Sequence, residues 1–229
     1  MPMRSLPPAS LWPEWMSYAS KQDAPDLSLG ALAAEVLGCD DAILKALKSR
    51  EAARLWQAGA LVPSFPDAPP LRPGRPLKPQ LLPPSEMPRR RKAGSLATRI
   101  ALLHAVAHIE LNAIDLAWDL IARFGADMPH AFLDDWVAVA DDEARHFMLI
   151  SDRLIAYGAA YGDLPAHDGL WEAAMNTADC FEARLAVVPL VLEARGLDVT
   201  PAMIARLQSM GDSESTQALS TIYQDEIGH

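Results

Sequence analysis

Three observations predict an all-α protein built around a four-helix bundle, with an N-terminal helical segment and a Pro-rich connector. Beyond residue 94 only four prolines remain, and strand signals are absent. Four segments there repeat their apolar residues at helical spacing. Each carries one glutamate inside its apolar stripe.

The elements follow in order. Residues 1–27 show prolines and tryptophans without a period. Residues 28–59 give two short helices split at Gly38–Asp41. Residues 62–90 hold ten prolines, a density that forbids regular helix or central strand and reads as an extended connector wrapped on the domain. The chain therefore divides into an N-terminal irregular and short-helix segment (1–61), a Pro-rich connector (62–94) and a helical bundle (95–229). Within the bundle, residues 95–124 form one long helix capped by Ser95, ended by "GADMP". Pro129 suits the start of a second helix running to about Tyr157. A third is expected from the N-cap Asp168 to Gly196. Thr200–Pro201 reads as the start of a fourth, interrupted at Gly211–Asp212.

Composition narrows the function. Half of the 229 residues are apolar, enough for one sizeable core and an appendage. A net charge of −10 argues against a nucleic-acid partner or an anionic membrane. The cationic run "PRRRKAG" (88–94) is the exception, and a solvated loop is its plain reading. Two cysteines without a C-x-x-C support neither a disulfide framework nor a zinc ribbon. The N-terminus lacks the apolar region of a signal peptide, and no uninterrupted apolar run reaches a membrane span. A cytoplasmic location is expected.

The chemistry lies in the stripes. Leu103, Ala107, Glu110, Ile114, Ala117 and Ile121 share one face of the first helix, so Glu110 occupies a core slot. The second gives Trp136, Ala140, Glu143, Phe147, Ile150, Leu154 and Tyr157. Glu193 closes the apolar run "LAVVPLVLEARG", and Glu226 follows Leu219 and Ile222. Buried carboxylates must protonate, pair with cations or bind metal. No Lys or Arg lies on the stripes at their level. Glu143 and Glu226 are each followed three residues later by a histidine, His146 and His229, one turn along and beside the carboxylate. Two divalent ions would balance four carboxylates. Glu110 to Glu143 spans 33 residues and so does Glu193 to Glu226, so one Glu plus E-x-x-H hairpin is repeated.

The pattern resembles the ferritin-like di-metal carboxylate proteins. More narrowly, "HAVAHIELNAIDLAWD", "DDEARHF", "YGDLPAHDGLW", "LEARGLD" and "DEIGH" resemble the ferritin-like domain-of-unknown-function family four-five-five, over roughly residues 95–229. A more distant likeness is to a ferritin-like tRNA hydroxylase. The resemblance implies a ferritin-like bundle with metal ligands at Glu110, Glu143, His146, Glu193, Glu226 and His229. It implies bridging roles for Glu143 and Glu226, with His146 and His229 as terminal ligands. It implies no particular reaction. Proteins of this type continue past the last histidine, so a chain cut short after His229 is expected.

Neighbouring residues carry two readings each. His104 and His108 supply either an extra ligand or proton relay, or packed core histidines. Tyr223 is a hydrogen-bond or redox partner of the metals, or a core tyrosine. Asp115 and Asp119 orient ligand histidines or are solvated. Pro189 bends the third helix and opens room beside the metals, or is a packing detail. Asp142 and Asp225 read as surface charge, His130 and His167 as structural, and Glu182 as a polar edge.

An oxygen-rich ligand set with a little imidazole suits two iron ions, or manganese. The expected function is an oxidoreductase using dioxygen or peroxide. Hydroxylation of a small-molecule substrate competes with ferroxidase or peroxide-destroying activity, and the Pro-rich segment would wall a substrate channel. The alternative is a non-enzymatic metal-binding or interaction module, in which metal binding is folding energy. A homodimer stays open.

Overall fold

The computed structural model describes residues 27–66, 68–88, 95–188 and 194–228. The described chain is mostly helical, as expected. A two-residue strand β1 (Leu27–Ser28) leads into α1 (Leu29–Gly38), whose N-cap Ser28 accepts from the Ala31 amide at 3.0 Å. Asp41 caps α2 (Ala42–Gln57) in the same way, accepting from Leu44 N at 2.8 Å. The break at Gly38–Asp41 thus follows from a cap residue after a glycine. Strand β2 (Leu61–Val62) pairs in parallel with β1, Leu27 opposite Leu61, which no sequence signal announced.

The Pro-rich segment is a strap lying on the helices. Gly74 donates to Leu37 O at 2.7 Å and presses so close that a Cβ there would lie 2.7 Å from the Cys39 carbonyl oxygen. Its own carbonyl accepts from Lys45 Nζ at 2.8 Å. The strap then forms a parallel bridge between Leu81 and Ala166. The cationic run Arg89–Lys92 lies outside the described residues, as does nearly all of 1–27.

Helix α3 (Leu96–Phe124) carries its predicted Ser95 cap, and a short 3-10 turn at Gly125–Asp127 leads to α4 (His130–Ala156). Their stripes interlock: Leu103, Ala107, Ile114, Ile121, Ala140, Phe147, Ile150 and Leu154 are fully buried in one core shared with α1 and α2. Segment Leu96–Asp127 is, on average, long and apolar enough to cross a membrane, contrary to the expectation from uninterrupted runs. Its most apolar window is 78% buried within the fold, which fits a soluble protein's core helix.

That core also holds charge, correcting the reading of Asp115 and Asp119. Neither is solvated and neither orients a histidine. Both are fully buried; Asp115 pairs with Lys45 Nζ at 2.5 Å and Arg75 at 3.1 Å. Asp119 pairs with Arg123 at 2.8 Å and with the fully buried Arg184. Buried charges persist only when paired and hydrogen-bonded, and these pairs fasten α2, the strap and the C-terminal region to α3.

The expected third helix is two helices instead. α5 (Gly169–Met175) and α6 (Phe181–Val187) flank a turn at 176–180. Arg184 explains the doubling back: it donates to Ala174 O at 2.7 Å and Thr177 Oγ1 at 3.0 Å, filling the orphan carbonyls at the end of α5 while neutralising Asp119. Asp168 precedes α5 without a side-chain cap bond and pairs with Arg72 of the strap. Pro189 lies outside the described residues. Thr200–Pro201 does not start a helix: α7 (Ala194–Ser209) runs through it. Pro201 forfeits one backbone bond, but Met203, Ile204 and Leu207 pack on the core and outweigh that loss. The expected break at Gly211–Asp212 is present. Gly211 takes φ 70°, and Asp212 caps α8 (Ser213–Glu226) by accepting from Ser215 N at 3.1 Å.

Candidate metal centre

The stripes aim three carboxylates and one imidazole at a single point. Glu110 comes from the middle of α3, Glu143 and His146 from α4, and Glu226 from the last residue of α8. One ligand atom from each lies within 4.8 Å of all the others, and this is the one such group among the described residues. His146 Nδ1 faces Glu110 Oε2 at 3.4 Å, Glu226 Oε1 at 3.5 Å and Glu143 Oε2 at 3.7 Å. Glu110, Glu143 and His146 are buried, and Glu226 is half-buried.

Electrostatics shows how these groups act on one another. Burial alone would lower the His146 pKa, but its hydrogen bonds with Glu110, Glu143 and Glu226 prevail and hold it up at about 12. Glu143 is pushed well above the usual carboxylate range, by burial first and then by the charges of Glu110 and Glu226, against the pull of His146. Among the described residues one imidazolium faces these three carboxylates, and Glu143, the most deeply buried of them, is reluctant to ionise. A divalent cation would favour the ionised carboxylates and displace the imidazole proton.

The donor set fits such an ion. Oxygen ligands with one imidazole suit iron or manganese. A metal about 2.0–2.2 Å from each donor keeps the donors within the spread seen here. His146 is also held in the required orientation. Its Nε2 donates to Asp225 Oδ2 at 3.0 Å, so once an ion displaced the Nδ1 proton, Nδ1 would turn its lone pair towards that ion. Arg145 donates to the same Asp225 oxygen at 3.0 Å and to Asp142 at 2.5 Å. Asp225 is therefore the histidine's orienting carboxylate, not the surface charge expected of it. Being next to Glu226, it sits about 100° round the helix, where a count of apolar stripes sees only an exposed position.

Glu193 and His229 lie outside the described residues, so the structure brings together four of the six expected ligands. Tyr223 is half-buried on α8, one turn before Glu226. The two histidines of α3 are packed, as the plainer reading held. His104 Nε2 accepts from Gly162 N at 2.9 Å, with its ring stacked on Tyr161. His108 Nδ1 bonds the Tyr161 hydroxyl at 2.8 Å, and its Nε2 meets the His167 carbonyl at 2.9 Å. Burial drives the His108 pKa down to about 4, so the ring stays neutral. His130 stacks on Trp56, His167 Nδ1 accepts from Gly169 N at 3.2 Å, and Glu182 is exposed.

Comparison with known proteins places the chain. The family described as "Protein of unknown function (DUF455)" matches residues 38–229, and the chain belongs to it. An uncharacterized protein of Haemophilus influenzae is 44% identical over 163 residues, covering 67% of this chain and 55% of that protein. The chain thus spans about half the length of that relative. No solved structure matches.

Proposed function

We propose that the protein is a ferritin-like di-metal carboxylate oxidoreductase that holds two iron or manganese ions in a four-helix bundle and uses dioxygen or peroxide, with hydroxylation of a small molecule as its reaction. The observation that carries this reading is the gathering of Glu110, Glu143, His146 and Glu226 at one point inside the helices, built of donors these metals prefer. Glu193 and His229 would complete the ligand set for a second ion. When bound, such a pair supplies the electrons for chemistry with dioxygen or peroxide.

The chain's own residues do the rest. Glu110, Glu143 and Glu226 provide negative charge that balances the ions and can shift between one- and two-oxygen binding. His146 offers Nδ1 while Asp225 and Arg145 fix its ring. Leu103, Ala107, Ala140 and Phe147, all fully buried, line the neighbouring turns of α3 and α4 and keep water away.

The test is elemental analysis of the purified protein and of Glu143→Gln, followed by oxygen uptake after reduction. About two equivalents of iron or manganese, lost in the variant, together with uptake by the wild type, are expected. No transition metal in the wild type overturns the reading. A second reading has its own observation: Glu226 ends a helix that is otherwise lightly anchored, so a metal there would tie α8 to the α3–α4 hairpin. Bound metal inert to reductant and oxygen would favour that structural role.

A further inference from the structure

Exposure across the carboxylate cluster is uneven, and it shows from which side an ion can reach it. The side chains of His146, Glu143 and Glu110 are 0%, 3% and 7% exposed, whereas that of Glu226 is 19% exposed. On the α3 and α4 side, the neighbouring turns present Leu103, Ala107, Ala140 and Phe147, all fully buried. A hydrated divalent ion crossing such a wall would shed its water with nothing to replace it. The described residues beside Glu226 are polar instead. Asp225, Asp142 and Arg145 are all partly exposed and meet along the seam between α4 and α8.

Arg145 spans that seam. One of its nitrogens donates to Asp142 on its own helix at 2.5 Å and to Asp225 of α8 at 3.0 Å. The Asp225 oxygen that takes the arginine is the one that His146 Nε2 meets at 3.0 Å. A surface cation, a seam carboxylate and a buried imidazole are thus joined in series. The last turn of α8, residues 223–226, contributes no fully buried side chain, because the apolar anchors of the helix end at Ile222. Arg145 therefore bears on the stretch of α8 that packing holds least, directly beside Glu226. While the guanidinium sits between Asp142 and Asp225, it offsets two carboxylates that would otherwise draw a cation in. Its side chain is 36% exposed and has room to swing outwards.

We propose that Arg145 is a latch on ion exchange: closed across Asp142 and Asp225, it holds the last turn of α8 over Glu226 and slows both the entry and the escape of a divalent cation. Swung away, it frees two carboxylates to meet the incoming ion and lets that turn of α8 lift. The latch closes before and after binding alike, because neither of its carboxylates belongs to the cluster itself. It therefore sets the rates and leaves the affinity nearly unchanged, since a barrier met in both directions cancels from the equilibrium constant. The inference rests on the ion site proposed above but not on its chemistry, and it holds for a catalytic and a structural ion alike.

The test uses the full chain and Mn2+ alone, with a fluorescent indicator of the free ion followed by stopped flow. Uptake is read on mixing metal-free protein with Mn2+, and release on mixing the loaded protein with excess EDTA. Arg145→Gln is expected to raise both rates about three- to tenfold, the joint range of two partly exposed ion pairs, and to move the Kd less than about twofold. Arg145→Lys keeps a cation on the seam and is expected to return both rates towards wild type. Arg50→Gln removes a cation that pairs with Asp141 from the α2 side of α4, and it is expected to change neither rate. Unchanged rates in Arg145→Gln, a change in one rate alone, or equal acceleration in Arg50→Gln overturns the latch. The outcomes also separate it from the reading it rests on. No Mn2+ bound by the wild type removes the ion site and the latch together. Binding with unaltered rates in Arg145→Gln removes the latch alone, and exchange as expected without oxygen uptake upholds the latch and removes only the oxidoreductase reading.

Discussion

Helices α3 and α8 both deliver a glutamate to the same cluster, yet they are held in opposite ways. Twenty of the 29 residues of α3 are buried, and its charges are locked by Lys45, Arg75 and Arg184. Only four of the 14 residues of α8 are buried. Its remaining hold on α4 is polar: Asp225 with His146 and Arg145, Glu214 with Arg153, and the cap residue Asp212 with Tyr157. The difference teaches that one side of the cluster is set by hydrophobic packing before any ion arrives. The other side is docked by groups that an ion, or a change of protonation, can strengthen or release.

The largest effect should come from attacking the packed side. Lys45→Ala removes the partner of a fully buried Asp115 and leaves Arg75 alone to compensate it. Breaking such a pair from one end typically costs about 3–5 kcal/mol. Denaturant unfolding should show a loss of that size. Glu214→Ala, on the docked side, should lose less than about 1 kcal/mol, because that carboxylate is 71% exposed and water screens its pair with Arg153. Equal losses would erase the contrast.

Removing metal should act the other way round. Stripping a cation held at a hundredfold excess over its Kd withdraws about 2.7 kcal/mol from the folded state. Hydrogen exchange should accelerate in α8 and hardly change in α3. Uniform acceleration across both helices would mean that the packed side also waits for the ion.

A smaller, sharper change is Asp225→Asn. The amide keeps the shape but orients the His146 ring less firmly and loses the charge that faces Arg145. Losing such an orienting carboxylate weakens metal affinity by roughly 10- to 100-fold. Competition titration with a chromogenic chelator reads this directly. An affinity equal to wild type would show that Asp225 serves only the Arg145 pair.

The same division explains what the sequence disclosed. Helices α1 to α4, the Ser95 cap and the break at Gly38–Asp41 were legible because periodicity, caps and breakers are local signals. The stripes carrying Glu110, Glu143 and Glu226 were legible for the same reason, each being an acidic residue where an apolar one belongs. What escaped depends on partners distant in the chain. Asp115 and Asp119 read equally as orienting ligand histidines or as solvated, because their cations, Lys45 and Arg184, lie 70 and 65 residues away. Arg184 also broke the expected third helix, a tertiary demand that no local propensity records. Asp225 was passed over because its value lies in one bond to His146, and a stripe analysis scores only burial.

The smallest effect concerns pH, and it separates the regions by where each begins to fail. Burial lowers the His104 pKa below its ordinary 6.5, against a weaker upward pull from Asp163. Its folded state therefore resists a proton that the unfolded chain accepts, so stability falls as pH drops through 6.5. The neutral Nε2 is the acceptor for the Gly162 amide, which protonation would remove. On the docked side, Asp212 shifts the opposite way from what burial would do. Hydrogen bonds from Tyr157 and Ser215 outweigh desolvation and lower its pKa below 3.8, so its contribution is present above that value and lost beneath it. Acid should thus weaken the α3 region first and the α7–α8 corner later. His104→Gln keeps an acceptor for Gly162 but cannot titrate. Its stability between pH 7 and 5, measured by urea unfolding, should decline less steeply than that of the wild type. Parallel curves would mean that His104 does not carry the acid sensitivity of the packed side, leaving it to His108, whose pKa burial drives down to about 4.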